Sequence, residues 1–279
     1  MKKKKTWKKW TLDEIMWLKE NSYKFTISEL ALILNRTQHS IRTNLRKLGL
    51  KYKKCYLGYE ESKEELNNII RKNPHDFWYI VGFIATDGCV HKKRKTVSIV
   101  QKEIKILNKI DIVFQGKCYF SKKRNDLESW KLIINNLYFR DWLIDYGIIP
   151  NKSRILKLKK PIPKEYQADF IRGVFDGDGC VGIYLKEKTW KYSFDCSIFN
   201  CSKSFVDDIY NIFINNNLYP NIYKVKKECY KISFTNRENI LKFYKWIYSS
   251  PSFLFIERKK NNFEKLLKHL YRKEKEVKV

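Results

Sequence analysis

At 279 residues, with 43% hydrophobic and 15% aromatic side chains, the chain is long enough for two compact domains and apolar enough to pack them. Its 58 Lys and Arg against 30 Asp and Glu give a formal net charge of +28. Such an excess repels itself unless a polyanion is at hand, and nucleic acid is the partner that fits. No apolar run approaches the ~18 residues of a membrane span, and no signal-peptide core follows the N-terminal lysines. The expectation is a soluble intracellular protein, cytoplasmic or organellar, with no membrane partner.

The first 52 residues read as helices. Thr11-Leu12-Asp13-Glu14 has the form of a capping box, and Thr26-Ile27-Ser28-Glu29 repeats it. After a break at Asn35-Arg36, Thr37 caps a third helix carrying Ile41, Leu45 and Leu48, which Gly49 stops. Helix, short turn, helix is the outline of a helix-turn-helix DNA-binding module over 1–52. Its solvent face offers Gln38, His39, Ser40, Arg42, Thr43 and Arg46 to base edges or phosphates. Residues 53–73 read as a charged linker.

Two later segments spell nearly one sentence. Ile80-Val81-Gly82-Phe83-Ile84-Ala85-Thr86-Asp87-Gly88-Cys89-Val90 is matched by Ile171-Arg172-Gly173-Val174-Phe175-Asp176-Gly177-Asp178-Gly179-Cys180-Val181, at an offset of 91 residues (178 − 87). Each motif opens a series that reads helix, hairpin, helix, hairpin, helix, so two copies of one unit are expected over 74–160 and 161–275. Trp190 to Phe199 alternates as a half-buried strand, with Lys191, Ser193, Asp195 and Ser197 on its polar face. Tyr230 to Thr235 does the same, with Lys231, Ser233 and Thr235 outward. The fold class is α+β: each copy lays an antiparallel sheet on helices and leaves a basic face open, where Lys131, Lys191, Ser193, Lys231 and Ser233 are the candidate DNA contacts.

The repeated motif carries the chemistry. Its helices are apolar on all sides and therefore buried. Gly82 and Gly173 cost about 1 kcal/mol each against Ala inside a helix, so they mark close backbone contact, most simply with each other. Asp87 and Asp178 fall at the helix C-termini, the unfavourable end for an anion, and parallel helices bring them within mutual repulsion. Two such carboxylates are expected to bind a divalent cation, magnesium by their oxygen chemistry, which activates water at a phosphate. Gln101 and Asn200 end equivalent strands beside the motifs and are candidates to position water or metal. The seven cysteines show no zinc spacing and read as buried reduced thiols, with Cys89 and Cys180 in packing roles.

In these motifs, and in Gly147-Ile148-Ile149-Pro150-Asn151-Lys152-Ser153, Ile162-Pro163 and Asp169-Phe170-Ile171-Arg172-Gly173, the chain resembles the LAGLIDADG homing endonucleases in their single-chain, two-motif form, over about residues 75–272. The resemblance implies a pseudo-twofold pair of αββαββα repeats forming a basic saddle, acting as a monomer on a long, nearly asymmetric double-stranded DNA site. It implies metal ligation by Asp87 and Asp178 with the carbonyls of Thr86 and Gly177, and a basic residue near each centre, Lys152 and Lys259. Magnesium-dependent cleavage of both strands follows, with manganese substituting and calcium supporting binding without cleavage. An RNA maturase or a transcriptional regulator on the same scaffold are the other readings; the regulators generally lack the acidic pair.

Overall fold

A computed structural model describes residues 9–24, 27–50, 63–123, 126–186, 191–226 and 228–276. The chain divides into two units, with the boundary after Tyr59.

The first unit holds three helices, α1 (Leu12–Asn21), α2 (Ile27–Ile33) and α3 (Gln38–Lys47), around Leu18, Ile27, Leu30, Ile41 and Leu45. The capping box at α1 forms: Thr11 Oγ1 accepts from Glu14 N–H and Glu14 accepts from Thr11 N–H. The second expected box falls on Thr26, outside the described residues. Thr37 caps α3 through Ser40 N–H, and Gly49 ends it at φ +62°. Arg36 reaches back to Glu14 at 2.6 Å and lies over Trp10.

The second unit begins with α4 (Lys63–Lys72), whose Leu66 and Ile69 are buried in this unit's core. Two series follow in the same order. The first is α5 (Pro74–Asp87), β1 (Gly88–Val90), β2 (Val97–Gln101), α6 (Ile104–Val113), β3 (Tyr119–Lys123), β4 (Asp126–Ile134) and α7 (Leu137–Asp145). The second is α8 (Gln167–Asp178), β5 (Gly179–Lys186), β6 (Lys191–Asn200), α9 (Lys203–Ile214), β7 (Asn221–Lys226), β8 (Cys229–Phe234) and α10 (Arg237–Tyr248), closed by α11 (Glu257–Glu276). Each sheet is antiparallel, ordered β1-β2-β4-β3 and β5-β6-β8-β7. This is the αββαββα pair that the sequence led us to expect. Among the described residues no helix is long and apolar enough to cross a membrane.

Helices α5 and α8 form the seam. A methyl group on Gly82 would stand 2.0 Å from the Phe170 carbonyl oxygen, and one on Gly173 would stand 2.1 Å from that of Tyr79. Each glycine thus meets a backbone carbonyl on the facing helix, one turn before the other glycine, rather than the glycine itself. Gly177, further along, faces the Thr86 side chain instead, whose Oγ1 a methyl group there would meet at 1.9 Å. The contacts climb both chains together, so the helices run parallel and both C-termini arrive at one end.

Two expectations about cysteine fail. Cys201 and Cys229 form a disulfide, because the register that pairs Asn200 with Tyr230 brings the next residues face to face. Cys89 and Cys180 are exposed rather than packed. Each follows a glycine that starts a strand, and the two-residue period turns it away from the core.

Candidate active site

The ends of α5 and α8 place Asp87 and Asp178 beside each other, half-buried, at the head of β1 and β5. Gln101, at the end of β2, donates its amide to Asp87 Oδ2 at 2.5 Å. Asn200, at the end of β6, donates to Asp178 Oδ2 at 3.1 Å. Among the described residues the other oxygen of each carboxylate carries no hydrogen bond. Burial raises the pKa of both groups, and for Asp178 the neighbouring Asp87 charge adds to burial, bringing it to about 6. Asn200 and the two lysines oppose that rise.

Those lysines come from outside the sheets. Lys152 sits in a single 3-10 turn, Lys152–Arg154, entered through Asn151 at φ 58°. Its ammonium is buried and donates to the Gly88 carbonyl and, at 3.4 Å, to that of Thr86. Lys259 lies in the first turn of α11 and donates to the carbonyls of Phe175 and Gly177, both at 2.9 Å. Burial lowers both ammonium pKa values, and the carboxylates partly restore them. The carbonyls of Thr86 and Gly177, expected to face a metal, each accept from a lysine.

The donor set fits a hard cation. It consists of one carboxylate oxygen each from Asp87 and Asp178 left without a hydrogen bond among the described residues, with no third His, Cys, Asp or Glu gathered there. Asp87 and Asp178 would hold the ion, with water and phosphate oxygens completing its shell, the arrangement that suits magnesium.

The open faces of the sheets hold most of the remaining candidates. Lys131 on β4 lies between Val100 and Ser121. On the second sheet Asp195, missed as a functional residue, organises its neighbours: Ser233 and Ser197 donate to it and Lys231 pairs with it at 2.7 Å. Ser233 is therefore fully buried, not turned outward. Ser193 is half-buried on β6, and the Lys191 side chain lies outside the described residues. In the first unit, Gln38, His39, Arg42 and Arg46 are exposed along α3, Thr43 is half-buried, and Ser40 accepts from Trp10 Nε1 at 3.1 Å.

Residues 165–248 match the model of LAGLIDADG-like domains. Over that segment the chain is similar to LAGLIDADG-like domains. The matched segment holds the second motif and its sheet, and the first series shares both topology and motif with it. Over 210 residues the chain is 24% identical to a probable translation initiation factor IF-2 of Methanocaldococcus jannaschii, an alignment spanning 71% of this chain and 16% of that protein. Its fold is similar to that of the I-LtrWI LAGLIDADG homing endonuclease bound to target DNA, with a TM-score of 0.51 at 15% identity, covering 72% of this chain and 91% of the other. It is also similar to LAGLIDADG meganuclease I-AabMI bound to uncleaved DNA, with a TM-score of 0.53 at 11% identity, covering 71% and 91%.

Proposed function

We propose that this LAGLIDADG-like chain is a site-specific DNA endonuclease that hydrolyses one phosphodiester bond in each strand with magnesium. The observation that carries the reading is the pair Asp87 and Asp178, set side by side at the ends of two parallel helices, each with its own amide and both within the field of two buried lysines. Two neighbouring carboxylates, each with an oxygen left unpaired among the described residues, suit a divalent cation that offsets their charge. That two solved proteins of like fold are DNA complexes supports the choice of substrate.

A cation held by Asp87 and Asp178 would supply Lewis acidity and a water of lowered pKa. The chain's own groups do the rest. Gln101 and Asn200 fix the rotamers of Asp87 and Asp178. Lys152 and Lys259 carry positive charge to the two positions where phosphate charge grows. The strand faces hold the duplex through Lys131 and Lys231, and they differ in side chains, so the target is asymmetric. Both centres come from one chain, so a monomer suffices. The N-terminal helices add a second DNA contact through Arg42 and Arg46 on α3.

The test is cleavage of a plasmid library of candidate sites with magnesium, manganese, calcium or no cation. Linear product with magnesium or manganese is expected, and bound but uncut DNA with calcium. Asp87→Asn and Asp178→Asn are each expected to abolish double-strand cleavage while retaining binding in calcium. Full activity in either variant refutes the proposal. RNA binding without DNA cleavage would instead indicate an intron maturase.

A further inference from the structure

The two motifs differ at their sixth position, Ala85 in the first and Asp176 in the second. Asp176 is 1% exposed and does not face the open cleft. Its Oδ2 accepts from Tyr79 Oη and from Ile256 N–H, both at 2.8 Å. Among the described residues its Oδ1 has no partner, so the group costs stability where it sits.

Ile256 is the residue that starts α11: its carbonyl accepts from the N–H groups of Lys259 at 3.0 Å and Lys260 at 3.1 Å. One turn on, the Lys259 ammonium returns to the carbonyls of Phe175 and Gly177, the two residues flanking Asp176. The path closes on itself: carboxylate to helix start, helix start to lysine, lysine back to the carboxylate's neighbours. Arg172 ties down the preceding segment through the carbonyls of Ile247 and Leu254, but nothing from Arg172 reaches Ile256. In the first repeat the lysine turn is braced otherwise, by Lys159 N–H on the Tyr146 carbonyl and Ser202 Oγ on that of Leu156.

We infer that Asp176 is a positioning residue for Lys259 alone, so that losing it disables one of the two cutting centres and leaves a strand-specific nickase. The inference rests on the endonuclease reading for its activity arm and on the geometry alone for its structural arm.

Plasmid cleavage with end-labelled strands reads the first arm. Asp176→Ala is expected to slow one strand by about tenfold or more, less than the roughly hundredfold that outright loss of a charge-stabilising group costs because Lys259 itself is kept, with the other strand unchanged and nicked circles accumulating. Lys259→Met should slow the same strand, and the double variant should be no slower than Lys259→Met. Asp176→Asn keeps an acceptor for Ile256 N–H and should recover the rate to within a few-fold. Equal slowing of both strands, or additive effects in the double variant, overturns the inference. Hydrogen exchange reads the second arm: the Ile256 amide should lose protection in Asp176→Ala and keep it in Asp176→Asn, and unchanged protection overturns the anchor. Wild-type protein that cuts no DNA defeats the endonuclease reading, while the exchange result still decides the anchor. Should Asp176→Ala not fold, Tyr79→Phe removes one of the two donors on the same carboxylate. A several-fold loss confined to that strand then supports the inference, and an equal effect on both overturns it.

Discussion

Replacing Asp178 by Asn should make the cation-free protein more stable above neutral pH. The carboxyl pKa is pushed from 3.8 to about 6, first by burial and then by the charge on Asp87. In that window the folded state binds more protons than the unfolded chain, so stability falls as pH rises from about 4 through 6 and stays low above it. At about 1.4 kcal/mol per tenfold, holding the anion in the fold costs ~3 kcal/mol at most. Asn has nearly the same shape, carries no charge and still offers an oxygen to Asn200 Nδ2. After allowance for its own desolvation, the expected gain at pH 8 is about 1–2 kcal/mol. For a chain of this length that corresponds to roughly 2–8 °C in Tm.

Thermal melts in EDTA at pH 5 and pH 8 measure it. At pH 5 the wild-type carboxyl is largely protonated and the two melts should nearly coincide. At pH 8 the variant should melt higher. With millimolar magnesium the order should reverse or close, because the cation stabilises only a protein that binds it. A variant less stable at pH 8 in EDTA, or a difference independent of pH, would refute the claim that the fold holds Asp178 as an anion at a cost from burial and from the neighbouring Asp87.

Three further outcomes follow from packing and charge. Gly82→Ala drives a methyl into the Phe170 carbonyl, which is backbone and cannot swing aside; urea titration should show a loss of about 3 kcal/mol or more, or failure to fold. Arg172→Met removes the 2.8 Å ion pair from buried Asp169, which keeps His75 and Ser250, and orphans the Ile247 and Leu254 carbonyls; a loss of about 2–4 kcal/mol is expected in the same assay. Arg42→Ala and Arg46→Ala, on exposed α3 positions, should each weaken DNA binding and lower the salt slope by about 1. Single-turnover cleavage at saturating DNA should be unaffected by either change.

Much of the architecture was legible in the chain because it is written in short-range patterns. The repeat at a fixed offset gave two copies, the all-apolar helices gave the buried seam, and the alternation in β6 and β8 gave the sheets. Contacts that depend on register were not legible. Cys201 and Cys229 lie 28 residues apart and meet only because β6 and β8 pair as they do. Asp195 reads as one more polar residue on an outward face until β8 sets Lys231 and Ser233 against it. The role of Asp176 is not legible either, since nothing local announces that a residue eighty positions later, Ile256, donates to it. Thr86 and Gly177 were assigned from family pattern, and only the fold shows two lysines on their carbonyls.

The site's geometry is set away from its chemistry. Gly82 lies five residues before Asp87, about 7.5 Å along the helix at 1.5 Å per residue, and Gly173 stands at the same remove from Asp178. Because each glycine rests on a carbonyl of the other helix, the separation of the helix axes is fixed by backbone against backbone, with no side chain to adjust it. The carboxylates at the ends inherit that separation. Helices hold a constellation more tightly than loops do, and among the described residues the two lysines are the site groups supplied from outside the sheets and seam. One rides a 3-10 turn, Lys152–Arg154, and the other the first turn of a twenty-residue helix, Glu257–Glu276. The carboxylates are therefore near-equivalent by construction, while the lysines differ in how they are held. A mutation that alters one strand's cleavage and spares the other should map to the lysine supports, whereas one in the glycine contacts should change both strands together.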